Sequence, residues 1–119
     1  MDEIRLTGMH FFGYHGVLPE ETVTGQRFIV HVTLGLPLRK AGITDSVRST
    51  VDYGKVYATV KAVVEGTPRK LIESVAEAIA EQLLTTFASI STIEVEVEKP
   101  GAPIPGIFDS VAVKIYRER

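Results

Sequence analysis

The sequence of 119 residues contains no cysteine. That absence removes disulfides, a thiolate nucleophile and zinc–thiolate sites together, and it suits a reducing compartment. There is no excess of one charge either. The 13 Lys and Arg against 15 Asp and Glu leave a net charge of −2, with a pI of about 5.9. The basic residues are scattered, so no patch argues for nucleic acid or an anionic membrane. No window approaches the length of a membrane-spanning helix. Met1-Asp2-Glu3-Ile4-Arg5 lacks the basic-then-apolar order of a signal peptide, so a cytoplasmic protein is expected. G-x-G-x-x-G, P-loop and G-x-S-x-G motifs are all missing, which leaves nucleotide phosphate binding and a serine elbow without support. The three histidines, His10, His15 and His31, show no H-x-H or H-x-x-x-H spacing and have no cysteine to help them. No metal and no cofactor are therefore expected.

What is present is an ordinary globular composition, 45% hydrophobic and 24% charged. The length suits a single domain over residues 1–119, and no repeat, low-complexity segment or linker divides it. Residues 2–12 read as a strand that Gly13-Tyr14-His15-Gly16 ends. Residues 17–25 read as loop. The alternation over 26–37 is the clearest in the chain. Phe28, Val30, Val32, Leu34 and Leu36 point one way, and Ile29, His31 and Thr33 the other.

Leu38 to Thr50 is irregular and polar, with turn residues that suit a short helical piece. Residues 53–65 read as a helix with Val56, Val60 and Val63 at helical spacing, stopped by Gly66. Thr67 is the expected N-cap, and Pro68 the first residue, of a second helix running to about Ala88. Its stripe is Ile72, Val75, Ala76, Ile79, Leu83 and Phe87. Residues 92–99 and 109–117 alternate as strands. Two strands, two helices and two strands indicate an α+β fold, with a four-stranded antiparallel sheet and both helices on one face. Glu94, Glu96, Glu98, His31 and Thr33 fall on the other face. So small a sheet has two open edges, and pairing them between subunits predicts a homo-oligomer.

The chemistry-bearing segment is Glu98-Lys99-Pro100-Gly101-Ala102-Pro103-Ile104-Pro105-Gly106. Its prolines fix φ and remove backbone donors, so the loop is stiff. Parity puts Lys99 with Ile93, Val95 and Val97 on the apolar side of its strand. A lysine facing a desolvated surface is a candidate for a lowered pKa and for proton transfer; one at a frayed strand end snorkels to water. Glu73, in the first turn of the second helix, is either a carboxylate serving the helix N-terminus or an anchor accepting two parallel N–H bonds from a guanine- or pterin-like ring. Tyr53 at a loop-to-helix junction packs, stacks on a ring or relays a proton. Asp52 before it is a natural N-cap. Glu20 and Glu21 read as loop charges, one of which could bind substrate hydroxyls.

The chain closely resembles the dihydroneopterin aldolase family of folate biosynthesis. The resemblance is carried by Gly13-Tyr14-His15-Gly16-Val17-Leu18-Pro19-Glu20-Glu21, Gly25-Gln26, Thr50-Val51-Asp52-Tyr53-Gly54, Leu71-Ile72-Glu73, Glu98-Lys99-Pro100 and Pro103-Ile104-Pro105-Gly106. These pieces span almost the whole chain. The family's tunnelling fold, ββααββ, closes four subunits into a barrel, two rings commonly stack into an octamer, and active sites lie between subunits. By resemblance, Lys99 is the proton-transfer lysine and Tyr53 helps protonate the intermediate. Glu73 anchors the pterin with the main chain of Val17, Val51, Tyr53 and Ile72, and Glu21 holds the hydroxylated side chain. Gly101-Ala102 and Ile107-Phe108 depart mildly from relatives.

The implied reaction is retro-aldol cleavage of 7,8-dihydroneopterin, without metal or Schiff base, to 6-hydroxymethyl-7,8-dihydropterin and glycolaldehyde, with 2′-epimerisation as a side activity. Four other readings stay open: an epimerase, an oxygen-dependent conversion of the same intermediate, a non-catalytic pterin- or purine-binding oligomer, and a purely structural oligomer.

Overall fold

The computed structural model describes residues 1–119. The alternating segments form four strands, β1 (Glu3–Gly13), β2 (Gln26–Gly35), β3 (Thr92–Lys99) and β4 (Val111–Glu118). They lie in the order β1-β2-β3-β4, each antiparallel to its neighbour. Register follows the apolar alternation: Phe11 opposes Phe28, Val30 opposes Val97, and Val97 opposes Val113. A one-residue slip would turn each strand's buried set outward. β1 carries an irregularity between Leu6 and Met9, where Gly8 takes φ +71°, a conformation that L side chains rarely adopt.

Two long helices, α3 (Tyr53–Val64) and α4 (Ile72–Thr86), cover one face of the sheet. α3 buries Val56, Val60 and Val64, so its stripe ends on Val64, with Val63 half-buried beside it. α4 buries Ile72, Val75, Ala76, Ile79, Ala80 and Leu83 and packs against β3 and β4. The opposite face carries the half-buried Glu94, Glu96, Glu98, His31 and Thr33, as alternation required. No helix is long and apolar enough to cross a membrane.

Two expectations change, and that of a short helical piece between Leu38 and Thr50 is met. Residues 17–25 are not all loop, because Pro19–Thr24 form the short helix α1. Pro at its start and Glu20 and Glu21 in its first turn suit a helix N-terminus, but six residues with no apolar stripe give no periodicity to read. The irregular segment holds α2 (Arg39–Thr44) and a 3₁₀ turn at Val47–Ser49. Finally, Thr67 and Pro68 do not open the second long helix, which starts at Ile72 with Leu71 at the cap. The backbone of Arg69 is taken elsewhere: its N–H donates to His15 Nδ1 at 2.9 Å and its carbonyl accepts from Gly16 N–H at 2.9 Å. A helix begun at Pro68 would need that carbonyl for Glu73 N–H.

Candidate active site

α1 turns one carboxylate inward. Glu21 is the third residue of this helix, and its Oε1 reaches back to accept the Leu18 N–H at 3.2 Å. Its Oε2 accepts from Gln26 Nε2 at 2.8 Å and lies 2.5 Å from Lys99 Nζ. Both side chains of the ion pair are largely buried, 9% exposed for Glu21 and 13% for Lys99. Burial pushes the Glu21 carboxyl up, but the hydrogen bonds from Lys99, Gln26 and the Leu18 N–H outweigh it and hold the group below the usual carboxylate range. Gly16 makes room for this arrangement, since a Cβ there would stand 2.3 Å from Glu21 Cδ.

Lys99 therefore faces a carboxylate rather than the unaccompanied apolar surface that strand parity implied. Parity describes only the sheet, and Glu21 arrives from a helix 78 residues earlier in the chain. Gln26 is a site residue that sequence reasoning passed over except as part of a motif. Its amide bridges to Glu21, while its buried Oε1 has no hydrogen-bond partner in the chain. Its position at the first residue of β2, directly after the positive-φ Gly25, was the available signal.

Glu73 is exposed as the second residue of α4, beside the buried Ile72. The backbone N–H groups of Ile72 and Glu73 make no backbone hydrogen bond, whereas those of Ser74 and Val75 are satisfied by Leu71 O. Carboxylate and free N–H groups together can meet a donor pair and an acceptor on one edge of a flat heterocycle. Val17 is also exposed, in the loop before α1.

The expected site residues divide into two groups. His15 bonds Val64 at the C-terminal end of α3, and Gly16 bonds Arg69 just before α4. Lys99, Glu21, Val17, Ile72 and Glu73 therefore gather at that end of the molecule. Tyr53 opens α3 at its other end, about 17 Å away along the helix axis. There Asp52 Oδ1 accepts the Gly54 N–H at 2.9 Å and caps the helix. Tyr53 is 68% exposed, and Val51, two residues earlier, is buried. The largest surface cavity, about 620 Å³ between α3 and α4, is lined by residues such as Ala58, Ala62, Ala78 and Gln82 and by none of the expected site residues.

The histidines stand apart. His15 is fully buried, and burial first of all depresses its pKa, with nearby Arg69 and Lys99 adding to the effect against the hydrogen bond to Val64. His31 accepts the Gly8 N–H at Nδ1, 3.0 Å, and meets the Glu98 carboxylate through Nε2 on the open face of the sheet. Glu98 also accepts from Ser110 Oγ at 3.1 Å, tying the end of the proline-rich loop to β3. The bond from His31 chiefly, helped by that from Ser110, holds the Glu98 carboxyl low despite partial burial. His10 lies on β1, exposed.

The dihydroneopterin aldolase family model matches residues 4–116. The chain is 46% identical to the dihydroneopterin aldolase of Bacillus subtilis over 119 residues, covering 100% of this chain and 99% of that protein. Among solved structures, the E. coli dihydroneopterin aldolase in complex with neopterin superposes with a TM-score of 0.90 at 30% identity, over 98% of this chain and 99% of that one. A Burkholderia dihydroneopterin aldolase bound to guanine gives a TM-score of 0.80 at 28% identity, over 99% of this chain and 91% of the other.

Proposed function

The chain belongs to the dihydroneopterin aldolase family, and from that premise we propose how its residues divide the work. The reaction is the retro-aldol cleavage of 7,8-dihydroneopterin, a step of folate biosynthesis. The observation that carries the assignment of roles is the buried Lys99–Glu21 pair, 2.5 Å apart beside a stiff proline-rich loop.

Glu73 and the free N–H groups at the start of α4 hold the pterin edge, with the main chain of Val17, Ile72, Val51 and Tyr53 completing the ring site. Such an anchor fixes where the substrate's side chain falls, which is what a retro-aldol needs most. Glu21 accepts a hydrogen bond from that side chain, next to Lys99. Lys99, passing its own proton to the Glu21 carboxylate that it faces, assists removal of the 2′-hydroxyl proton directly or through water. The C1′–C2′ bond then breaks. Its electrons pass into the N5=C6 imine of the dihydropterin ring, and C2′ leaves as the aldehyde carbon of glycolaldehyde. C1′ of the resulting enamine takes a proton with help from Tyr53, giving 6-hydroxymethyl-7,8-dihydropterin. The ring itself serves as electron sink, so the scheme calls on neither Schiff base nor metal. If the bound aldehyde turns before re-adding to C1′, the same groups yield the 2′-epimer.

Lys99 and Tyr53 lie at opposite ends of α3, so a complete site draws them from different copies of the chain. This favours a homo-oligomer, tetramer or octamer, with sites at subunit interfaces. The free edges of β1 and β4 and the long axis of 52 Å against 26 and 21 Å support the same reading. Residues 1–119 act as one domain, and we place the enzyme in the cytoplasm.

The test is anaerobic incubation with 7,8-dihydroneopterin and a metal chelator, with the pterins separated by chromatography. Stoichiometric 6-hydroxymethyl-7,8-dihydropterin and glycolaldehyde are expected. Conversion to the 2′-epimer alone would replace the aldolase with an epimerase. Binding without turnover would leave a pterin- or purine-binding module.

A further inference from the structure

We propose that His15 is the positioning residue that sets Glu73 against the Lys99–Glu21 pair. The inference rests on the site described above and adds a residue that touches no substrate. His15 is fully buried and packs edge-on against Phe28, with ring centroids 5.3 Å apart. Both of its ring nitrogens are committed. Nε2 lies 2.7 Å from the carbonyl of Val64, which can only accept. Nδ1 lies 2.9 Å from the backbone nitrogen of Arg69, which can only donate. One arrangement satisfies both: a neutral ring with its proton on Nε2. A group so placed and so occupied cannot serve as a general base.

Its partners show what it does. Arg69 is gripped three times: by His15 at its N–H, by Gly16 at its carbonyl, 2.9 Å, and through its guanidinium Nη1, which donates to Ser74 Oγ at 3.0 Å. Ser74 follows Glu73 in the first turn of α4. On the other side, Gly16 follows His15 directly and abuts the Glu21 carboxylate that holds Lys99. The path from ring anchor to proton-transfer pair thus runs Glu73, Ser74, Arg69, His15, Gly16, Glu21, Lys99. It is short, buried at His15, Gly16 and Glu21, and joined by hydrogen bonds and close contact. Displacing the Arg69 strap would move Glu73 relative to Lys99, and small misplacements of a bound substrate are expensive in a reaction of this kind.

The test uses the full chain in its native assembly and two variants. His15→Asn keeps an acceptor oxygen near Nδ1 and loses the donor to Val64. His15→Gln keeps a donor near Nε2 and loses the acceptor for Arg69. Both are expected to lower Tm. A purely structural histidine would do no more than that. A positioning histidine predicts a split: in His15→Gln, KM for 7,8-dihydroneopterin and Kd for guanine rise about tenfold, the scale of one lost hydrogen bond, while His15→Asn stays within about threefold of wild type. kcat should fall alongside in His15→Gln and stay near wild type in His15→Asn. Unchanged KM in both variants, or equal rises, would overturn the proposal. Should neither variant fold, hydrogen exchange on the unsubstituted protein decides. Saturating guanine should slow exchange of the Arg69 amide about tenfold, because a ligand on Glu73 stabilises the strap that holds it. An unaltered rate would count against His15. A wild-type protein that neither binds guanine nor turns over substrate would sink the functional reading and this inference with it. An active wild type with indistinguishable variants sinks this inference alone.

Discussion

Replacing Glu21 by Gln tests the centre of the site with almost no change of shape. The amide keeps one acceptor oxygen for the Leu18 N–H but carries no charge. The Lys99 ammonium, 13% exposed, then has no counter-ion. Removing one partner of a buried pair costs about 3–5 kcal/mol. Residual exposure and the retained amide oxygen put Glu21→Gln near the lower end, about 3 kcal/mol. Lys99→Met, which strands the carboxylate instead, should cost a similar amount. The double variant leaves no charge unpaired, so it should cost about 3 kcal/mol rather than about 6, a coupling of about 3 kcal/mol. The assay is urea unfolding of all four proteins at one protomer concentration, since assembly links stability to concentration. Acid supplies a second reading. The Glu21 carboxyl is held below its ordinary value of about 4.5 in the folded protein. Its contribution is therefore complete above that value and is lost as pH falls through the lower, folded value. The gap between wild type and Glu21→Gln should close over that range. Additive single costs, or a gap indifferent to acid, would refute the buried pair.

Lys99→Ala should lose most of kcat with modest change in binding, while Glu73→Ala mainly loses binding; steady-state kinetics and guanine titration separate the two, and equal loss of binding would contradict the division of roles. Gly16→Ala should push the Glu21 carboxylate off Lys99, because its Cβ would stand 2.3 Å from Glu21 Cδ. About 1–3 kcal/mol of stability should go, with a fall in kcat, read by urea unfolding and turnover. His15 is depressed below its ordinary value of 6.5, so the unfolded chain binds its proton first. Its contribution is full above about pH 6.5 and is lost as pH falls toward the folded value. A His15→Asn variant should show less loss of stability than wild type between pH 7 and pH 5.

The open face was legible because alternation survives any tertiary context that keeps the sheet. Phe28, Val30, Val32 and Leu34 are buried and His31 and Thr33 are not, as period two requires. The core of α4 was legible for the same reason, at period 3.6. Helix starts were less so. Asp52 caps α3 through a local side-chain bond that its neighbours announce, but the start of α4 was set by His15 and Gly16, more than fifty residues earlier. A capping motif at Thr67-Pro68 states only a local preference, worth about 1 kcal/mol. Two long-range hydrogen bonds to Arg69 override it.

The amino-acid sequence by itself determined the two periods, and with them which faces become core, the order of strands and helices, the absence of thiol chemistry, and which carboxylates, tyrosine and lysine were available. These depend on residues a few positions apart, where backbone geometry dictates who is neighbour to whom. Only the tertiary structure decided that Lys99 meets Glu21, that Gln26 and Gly16 shape that pair, that His15 is spent on backbone groups, and that Tyr53 lies a helix length from the lysine. Those facts depend on where separate elements come to rest, which is set by burial of the whole core and by satisfaction of polar groups within it, and no local pattern encodes them.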